Sequence, residues 1–170
     1  MGLRPGRTTR RLERPWTRVS KKKPRKSYVV GVPYSKIHIF EMGNTTKKFD
    51  TCLNLVVGHP VQIRDNALEA ARIVSNKFLE RKIPDNYFFK VLVFPHHVLR
   101  EHSMATGAGA DRFSSGMRHS FGKPTGRAAR LMYGQKILTL KVDKRNLDIG
   151  RLALKRASKK LPVHCSIEVE

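Results

Sequence analysis

From residue 28 onward, two hydrophobic periods alternate along the chain. After a short apolar lead-in over 28–33, residues 36–42 (KIHIFEM) place Ile37 and Ile39 two apart and stop at Gly43-Asn44, which predicts a strand. Residues 52–57 (CLNLVV) predict a second strand, closed by Gly58-His59-Pro60. From about Asn66 the period lengthens to that of a helix, with Ala67, Ala70, Ala71, Val74, Phe78 and Leu79 on one face. Asn66 and Glu69 stand at N-cap and N3 spacing, and Pro84 ends the helix.

Residues 87–94 (YFFKVLVF) are almost wholly apolar, which predicts a strand covered on both faces. Pro95 ends it, and 97–100 predict a further short strand. Residues 136–142 alternate, setting Leu138, Leu140 and Val142 against Ile137, Thr139 and Lys141. A second helix is predicted over 146–161, with Ile149, Leu152, Ala153, Ala157 and Leu161 as its apolar stripe and Gly150 weakening its first turns. The last strand sets Val163, Cys165, Ile167 and Val169 against His164, Ser166 and Glu168. This order predicts one α+β domain over 28–170, a mixed sheet carrying two helices, with residues 1–27 as a separate arm.

Charge changes the picture. The 170 residues carry 35 Lys and Arg against 13 Asp and Glu, a formal +22. The arm holds Arg4, Arg7, Arg10, Arg11, Arg14, Arg18, Lys21, Lys22, Lys23, Arg25 and Lys26 against one acid, Glu13, a net +10 in 26 residues. Its basic residues are set among Pro, Gly and Thr, so it buries too little apolar surface to offset its ordering entropy and is expected to be disordered alone. A polyanion would relieve its self-repulsion by exchanging condensed counterions for Lys and Arg. No apolar run approaches 18 residues, so no membrane span is expected. The arm has no apolar h-region of a secretory signal, and Cys52 and Cys165 match no metal spacing, which fits reduced thiols in the cytosol.

Residues 101–134 have no sustained period. They contain Gly107, Gly109, Gly116, Gly122, Gly126 and Gly134, five cations (Arg112, Arg118, Lys123, Arg127 and Arg130) and only Glu101 and Asp111 as acids. A segment this long inside a compact domain points to function, with glycines allowing backbone N–H groups close to phosphate. Met104, Phe113, Met117 and Phe121 give it more anchoring side chains than a linker needs. Enzyme motifs fail on inspection. Gly107-Ala-Gly-Ala-Asp111 lacks the third glycine of a dinucleotide fingerprint, and Gly122-Lys123 is followed by Pro124 where a phosphate loop has Ser or Thr. His96, His97 and His102 have no metal-ligand spacing. No catalytic site, cofactor or small-molecule substrate is expected.

Several strings together resemble a known family: Arg4-Pro5, Gly31-Val-Pro33 with Lys36-Ile-His-Ile-Phe40, Ala67-Leu-Glu-Ala-Ala-Arg72, Gly107-Ala-Gly-Ala-Asp-Arg112, Gly116-Met-Arg118 and Phe121-Gly-Lys-Pro124. In this order on a basic chain they are similar to the large-subunit ribosomal protein L ten-e family, the archaeal and eukaryotic counterpart of bacterial ribosomal protein L sixteen. The resemblance implies an α/β-hammerhead fold and a non-catalytic role. It implies contact with large-subunit rRNA near the central protuberance and the peptidyl-transferase region, beside neighbouring ribosomal proteins in the cytoplasm. It also implies that the tip of the glycine-rich loop, with His102, Ser103, Met104, Gly107, Gly109 and Asp111, faces tRNA at the aminoacyl site. His119-Ser120 stand where the family pattern has a small Gly-Ala pair. A free-standing nucleic-acid-binding regulator or RNA chaperone would share the arm but would not need the loop.

Overall fold

A computed structural model describes residues 3–12, 20, 22–23, 25–26 and 28–170. Two sheets make up its strand content. Five strands pair in the order β1 (Glu41–Gly43), β4 (Tyr87–Val91), β7 (Lys136–Val142), β2 (Thr51–Val57) and β8 (Cys165–Val169). Three more pair in the order β3 (Val61–Arg64), β6 (Lys123–Leu131) and β5 (His97–Glu101). All the pairings are antiparallel, so the α+β class holds while the expected single mixed sheet is corrected to two antiparallel ones. The difference lies in β3 and β6, which join β5 in a sheet of their own.

The core follows from strand register. Leu53 lies opposite Leu140 and Leu55 opposite Leu138, while Phe89 and Val91 of β4 meet the same two residues from the other side. These side chains share one face of the five-stranded sheet, and α1 (Asp65–Lys82) and α3 (Leu147–Ser158) pack on it and on each other. At Gly150 α3 lies close against the sheet. A Cβ there would lie 2.6 Å from the Leu53 Cδ1 and 3.3 Å from the Leu140 Cδ2, so the glycine that weakens the helix locally permits its packing. The opposite face is more polar, with Thr139 Oγ1 donating to Asn54 Oδ1 at 2.8 Å and the Lys141 ammonium 5.9 Å from the Phe88 ring. Only one face of β4 is therefore covered: Phe88 and Lys90 are half-buried and Leu92 is exposed, against the expectation of burial on both.

The helix faces are rotated from the sequence reading. Leu68, Ala71, Ser75, Phe78 and Leu79 face inward on α1, whereas Ala67, Ala70 and Val74 are half-buried. On α3, Gly150, Ala153, Leu154 and Ala157 are buried and Leu152 is exposed. Nor does the Asn66–Glu69 capping box form. The α1 start has no side-chain cap; Asp65 Oδ1 accepts from the Asn66 N–H at 2.9 Å and its Oδ2 from the Lys36 N–H at 3.0 Å. Glu69 instead accepts from Arg72 Nε at 2.9 Å. The strand expected over 36–42 shortens to β1, since residues 36–40 form no ladder even though Ile37 is buried.

Burial pushes the Cys165 thiol from 9.0 up to about 11, and burial, then Glu80 and Asp85, push the Tyr87 phenol from 10.0 up to about 12. Both acids stay neutral longer in the folded chain than in the unfolded one, so their contribution to stability is complete below the unfolded value and is lost as pH rises toward the folded one. The free energy of unfolding is expected to fall between pH 9.0 and about 11 through Cys165. In denaturant titrations across this range, Cys165→Val should flatten that part of the decline; an unchanged profile would contradict it.

Candidate nucleic-acid interface

The start of the arm is fixed through its main chain. Residues 6–9 form a 3-10 turn in which the Pro5 carbonyl accepts from the Thr8 N–H (3.2 Å) and Oγ1 (2.8 Å). The Gln62 N–H then donates to the Arg10 carbonyl at 2.9 Å, Gln62 Nε2 to the Thr9 carbonyl at 3.0 Å, and Arg64 Nη1 to the Arg4 carbonyl at 2.7 Å. The free edge of β3 thus holds residues 4–10 by hydrogen bonds to carbonyls, which need no apolar burial. Arg7, Arg10 and Arg11 remain exposed, and Arg4 pairs with Glu101 at the end of β5.

Further along, the Ser20 N–H donates to the Lys26 carbonyl at 3.2 Å and the Lys26 N–H to the Lys23 carbonyl at 2.9 Å, with Lys22, Lys23, Arg25 and Lys26 all exposed. Arg14, Arg18 and Lys21 lie outside the described residues.

The long segment divides in two. Its last third is β6, paired with β3 and β5, which corrects the reading of 101–134 as wholly without regular structure. Residues 102–122 form the loop, closed at its base by Gly122. This glycine has φ +80°, and a Cβ on it would sit 2.6 Å from the Glu101 carbonyl carbon and 2.9 Å from the His102 nitrogen. Arg100 reinforces the closure, with Nη1 donating to the Gly122 carbonyl at 3.1 Å and its guanidinium 4.5 Å from the Phe121 ring centroid. Within the loop, His102 Nε2 lies 2.7 Å from the Gly116 carbonyl, and α2 (Ala110–Phe113) is a single turn. Ser103, Met104, Gly107, Gly109 and Asp111 are exposed, as are Phe113 and Met117 (86% and 67%).

The structure separates the expected cations into groups. Arg112 and Arg118 are exposed on the loop, and Lys123 lies at its base opposite Glu101. Arg130 faces outward opposite Gln62, whereas Arg127 is half-buried and donates Nε to the Pro33 carbonyl at 2.9 Å. Arg127 lines two clefts. One, of about 620 Å³, lies between the arm, residues 33–36, the start of α1 and the ends of β5 and β6; Arg4 and His102 also line it. The other, of about 640 Å³, brings Arg25 to Phe94 and His96. Tyr34, Lys36, Arg64 and Arg100 line the first cleft and were missed in the sequence, where each stands alone rather than in a basic run.

Burial, then Arg127, lowers the His96 pKa, and burial, then Arg130, lowers that of His97, so arginine supplies the positive charge here. Among the described residues no group of three or more His, Cys, Asp or Glu is placed to hold a metal ion, and no helix is long and apolar enough to cross a membrane. The Gly107–Asp111 string lies in the open loop and Gly122-Lys123 leads into a strand, so neither presents a helix N-terminus of the length that phosphate-binding motifs use.

Comparisons with known proteins converge. The family model described as ribosomal protein L16p/L10e matches residues 16–168. A large ribosomal subunit protein uL16 of Archaeoglobus fulgidus is 48% identical over 171 residues, covering 100% of this chain and 94% of that protein. Its namesake in Thermofilum pendens is 48% identical over 172 residues, covering 100% and 98%. The one in Picrophilus torridus is 50% identical over 146 residues, covering 85% and 83%.

Closure of the loop at Gly122 is testable. A side chain in the left-handed region costs roughly 1–2 kcal/mol before any clash. Gly122→Ala should therefore lower the midpoint of thermal unfolding and speed protease cleavage within 102–122. Gly126→Ala, whose Cβ would meet nothing within 4 Å, should behave as wild type. Equal behaviour of the two variants would contradict the closure.

Proposed function

The chain belongs to the ribosomal protein L16p/L10e family, and from that premise we propose how a structural, non-enzymatic constituent of the large ribosomal subunit uses this surface. It binds large-subunit rRNA near the central protuberance and the peptidyl-transferase region and helps to shape the aminoacyl-tRNA site. One observation carries the reading: the arm is gripped by its carbonyls while its arginines stay exposed. Arg7, Arg10 and Arg11 are thereby offered to phosphate from a partly fixed backbone, which reduces the entropy lost on binding. Folded rRNA is read largely through shape, 2′-hydroxyls and phosphates, so specificity comes from matching geometry.

Around the loop, Arg112, Arg118 and Lys123 extend the cationic surface, and Arg127 and Arg130 continue it along β6. Arginine grips phosphate bidentately and stacks on bases, so Arg→Lys is not neutral at such positions. The tip, from His102 to Asp111, is mostly small and exposed, which suits a crowded groove between rRNA and tRNA.

Deleting residues 1–26 should weaken binding to large-subunit rRNA and flatten its salt dependence, because each phosphate contact contributes roughly −0.7 to −0.9 to the log–log slope. Filter binding across a salt series checks this, and an unchanged slope would refute phosphate contact by the arm.

Removing residues 103–110 should leave the free protein within about 1 kcal/mol of wild type, as surface changes do. Subunits carrying that deletion should bind tRNA more weakly and synthesise peptide more slowly. Normal rate and fidelity would show that the tip is slack.

A further inference from the structure

The 620 Å³ cleft is within the roughly 300–1,000 Å³ range of small-ligand sites, and it is unbalanced in charge. Five cationic side chains line it against two carboxylates, Asp65 and Glu101. Both carboxylates are engaged, Asp65 by the Lys36 and Asn66 N–H groups and Glu101 by Arg4. Arg64, Arg100 and Arg127 each give an N–H to a main-chain carbonyl, of Arg4, Gly122 and Pro33 respectively. A carbonyl takes one of the five guanidinium donors and cancels none of the charge. The concavity therefore keeps a positive charge that the fold does not neutralise, which an anion would satisfy.

One further feature narrows the anion. At the rim Tyr34 is 90% exposed, a large ring that the fold leaves uncovered beside Pro33. Inorganic phosphate would use the arginines but not the ring. A nucleotide has both a phosphate and a π-face, and single-stranded RNA is held by this combination of cationic groove and aromatic platform.

We propose that this cleft receives one unstacked nucleotide of the rRNA, its phosphate met by Arg64 and Arg127 and its base laid on Tyr34. The proposal rests on the rRNA-binding reading above and adds to it a defined subsite in which a base, and not only the backbone, is recognised. The Arg4–Glu101 pair connects the arm with the end of β5 at this cleft, so a nucleotide there would touch both parts of the interface.

The test uses the full chain and two probes, deproteinised large-subunit rRNA and long-chain inorganic polyphosphate, which has charge but no bases. Tyr34 is almost fully exposed, so Tyr34→Ala should fold as wild type does. Stacking is worth roughly 1–3 kcal/mol per base, so Tyr34→Ala should weaken rRNA binding roughly 5- to 150-fold without changing the salt slope. Tyr34→Phe should restore binding, and polyphosphate affinity should not move in either variant. Unchanged rRNA binding by Tyr34→Ala, or an equal loss on both probes, would overturn the nucleotide subsite while leaving salt-dependent rRNA binding by wild type in place. Failure of the wild-type chain to bind rRNA would remove the broader reading, and the subsite with it.

Discussion

Leu53, Leu55 and Val57 of β2 lie beside Leu138, Leu140 and Val142 of β7, with Tyr87, Phe89 and Val91 of β4 on the far side, and α1 and α3 close over this layer. A chain at +22 repels itself when compact, so this burial has to outweigh the repulsion before any partner is present. A fully buried Leu or Phe contributes roughly 1.5–3 kcal/mol. Exposed ion pairs are typically worth at most about 1 kcal/mol, so pairs such as Lys47–Asp143 and Lys90–Glu41 cannot substitute for the core. The same layer also sets the position of the proposed interface. β7 leads back through the turn at Gly134 (φ +75°) to β6, which carries Arg127 and Arg130 into the second sheet.

Because the core supplies the stability, most cations are not needed for folding. Acids that could have neutralised the interface are engaged locally, Asp65 with main-chain N–H groups and Glu101 with Arg4. Main-chain carbonyls, which have no net charge, partner Arg64, Arg100 and Arg127. The outcome is a positioned positive surface on the three-stranded sheet, the docked arm and the loop base, continued by the exposed Met104, Phe113 and Met117 of the loop. A family that acts as a structural part of a ribonucleoprotein needs this division between an apolar core and an unneutralised face.

Elements with strong side-chain alternation were legible in the sequence. β7 and β8 read directly because Leu138, Leu140 and Val142, and then Cys165 and Ile167, recur at every second position. The existence of α1 and its end near Pro84 were equally clear, but its inward face was not: Leu68 and Ser75 turn inward, and Ser75 does so against α3, its Oγ donating to the Ala153 carbonyl at 3.2 Å. β6 was hidden because Lys123-Pro-Thr-Gly-Arg-Ala-Ala-Arg-Leu131 has almost no apolar alternation; partners on both sides make it a strand. β3 escaped notice as four residues whose pairing is also distant. For the interface, the basic run and the glycine-rich segment were visible as composition. The grip on the arm by Gln62 and Arg64, and the cleft that gathers Tyr34, Arg100 and Arg127, arise from contacts between distant residues that no local spacing encodes.

Amide hydrogen exchange, measured on the free chain and on the same chain within purified large subunits, separates a core that is complete without RNA from a surface that RNA covers. Assembly should slow exchange in residues 3–12, in 28–36 and across 97–130. The central strands β2 and β7 and the buried turns of α1 and α3 should already exchange slowly and change little. New protection concentrated on the exposed faces of α1 and α3, with 97–130 and the arm exchanging as fast as in the free chain, would contradict it.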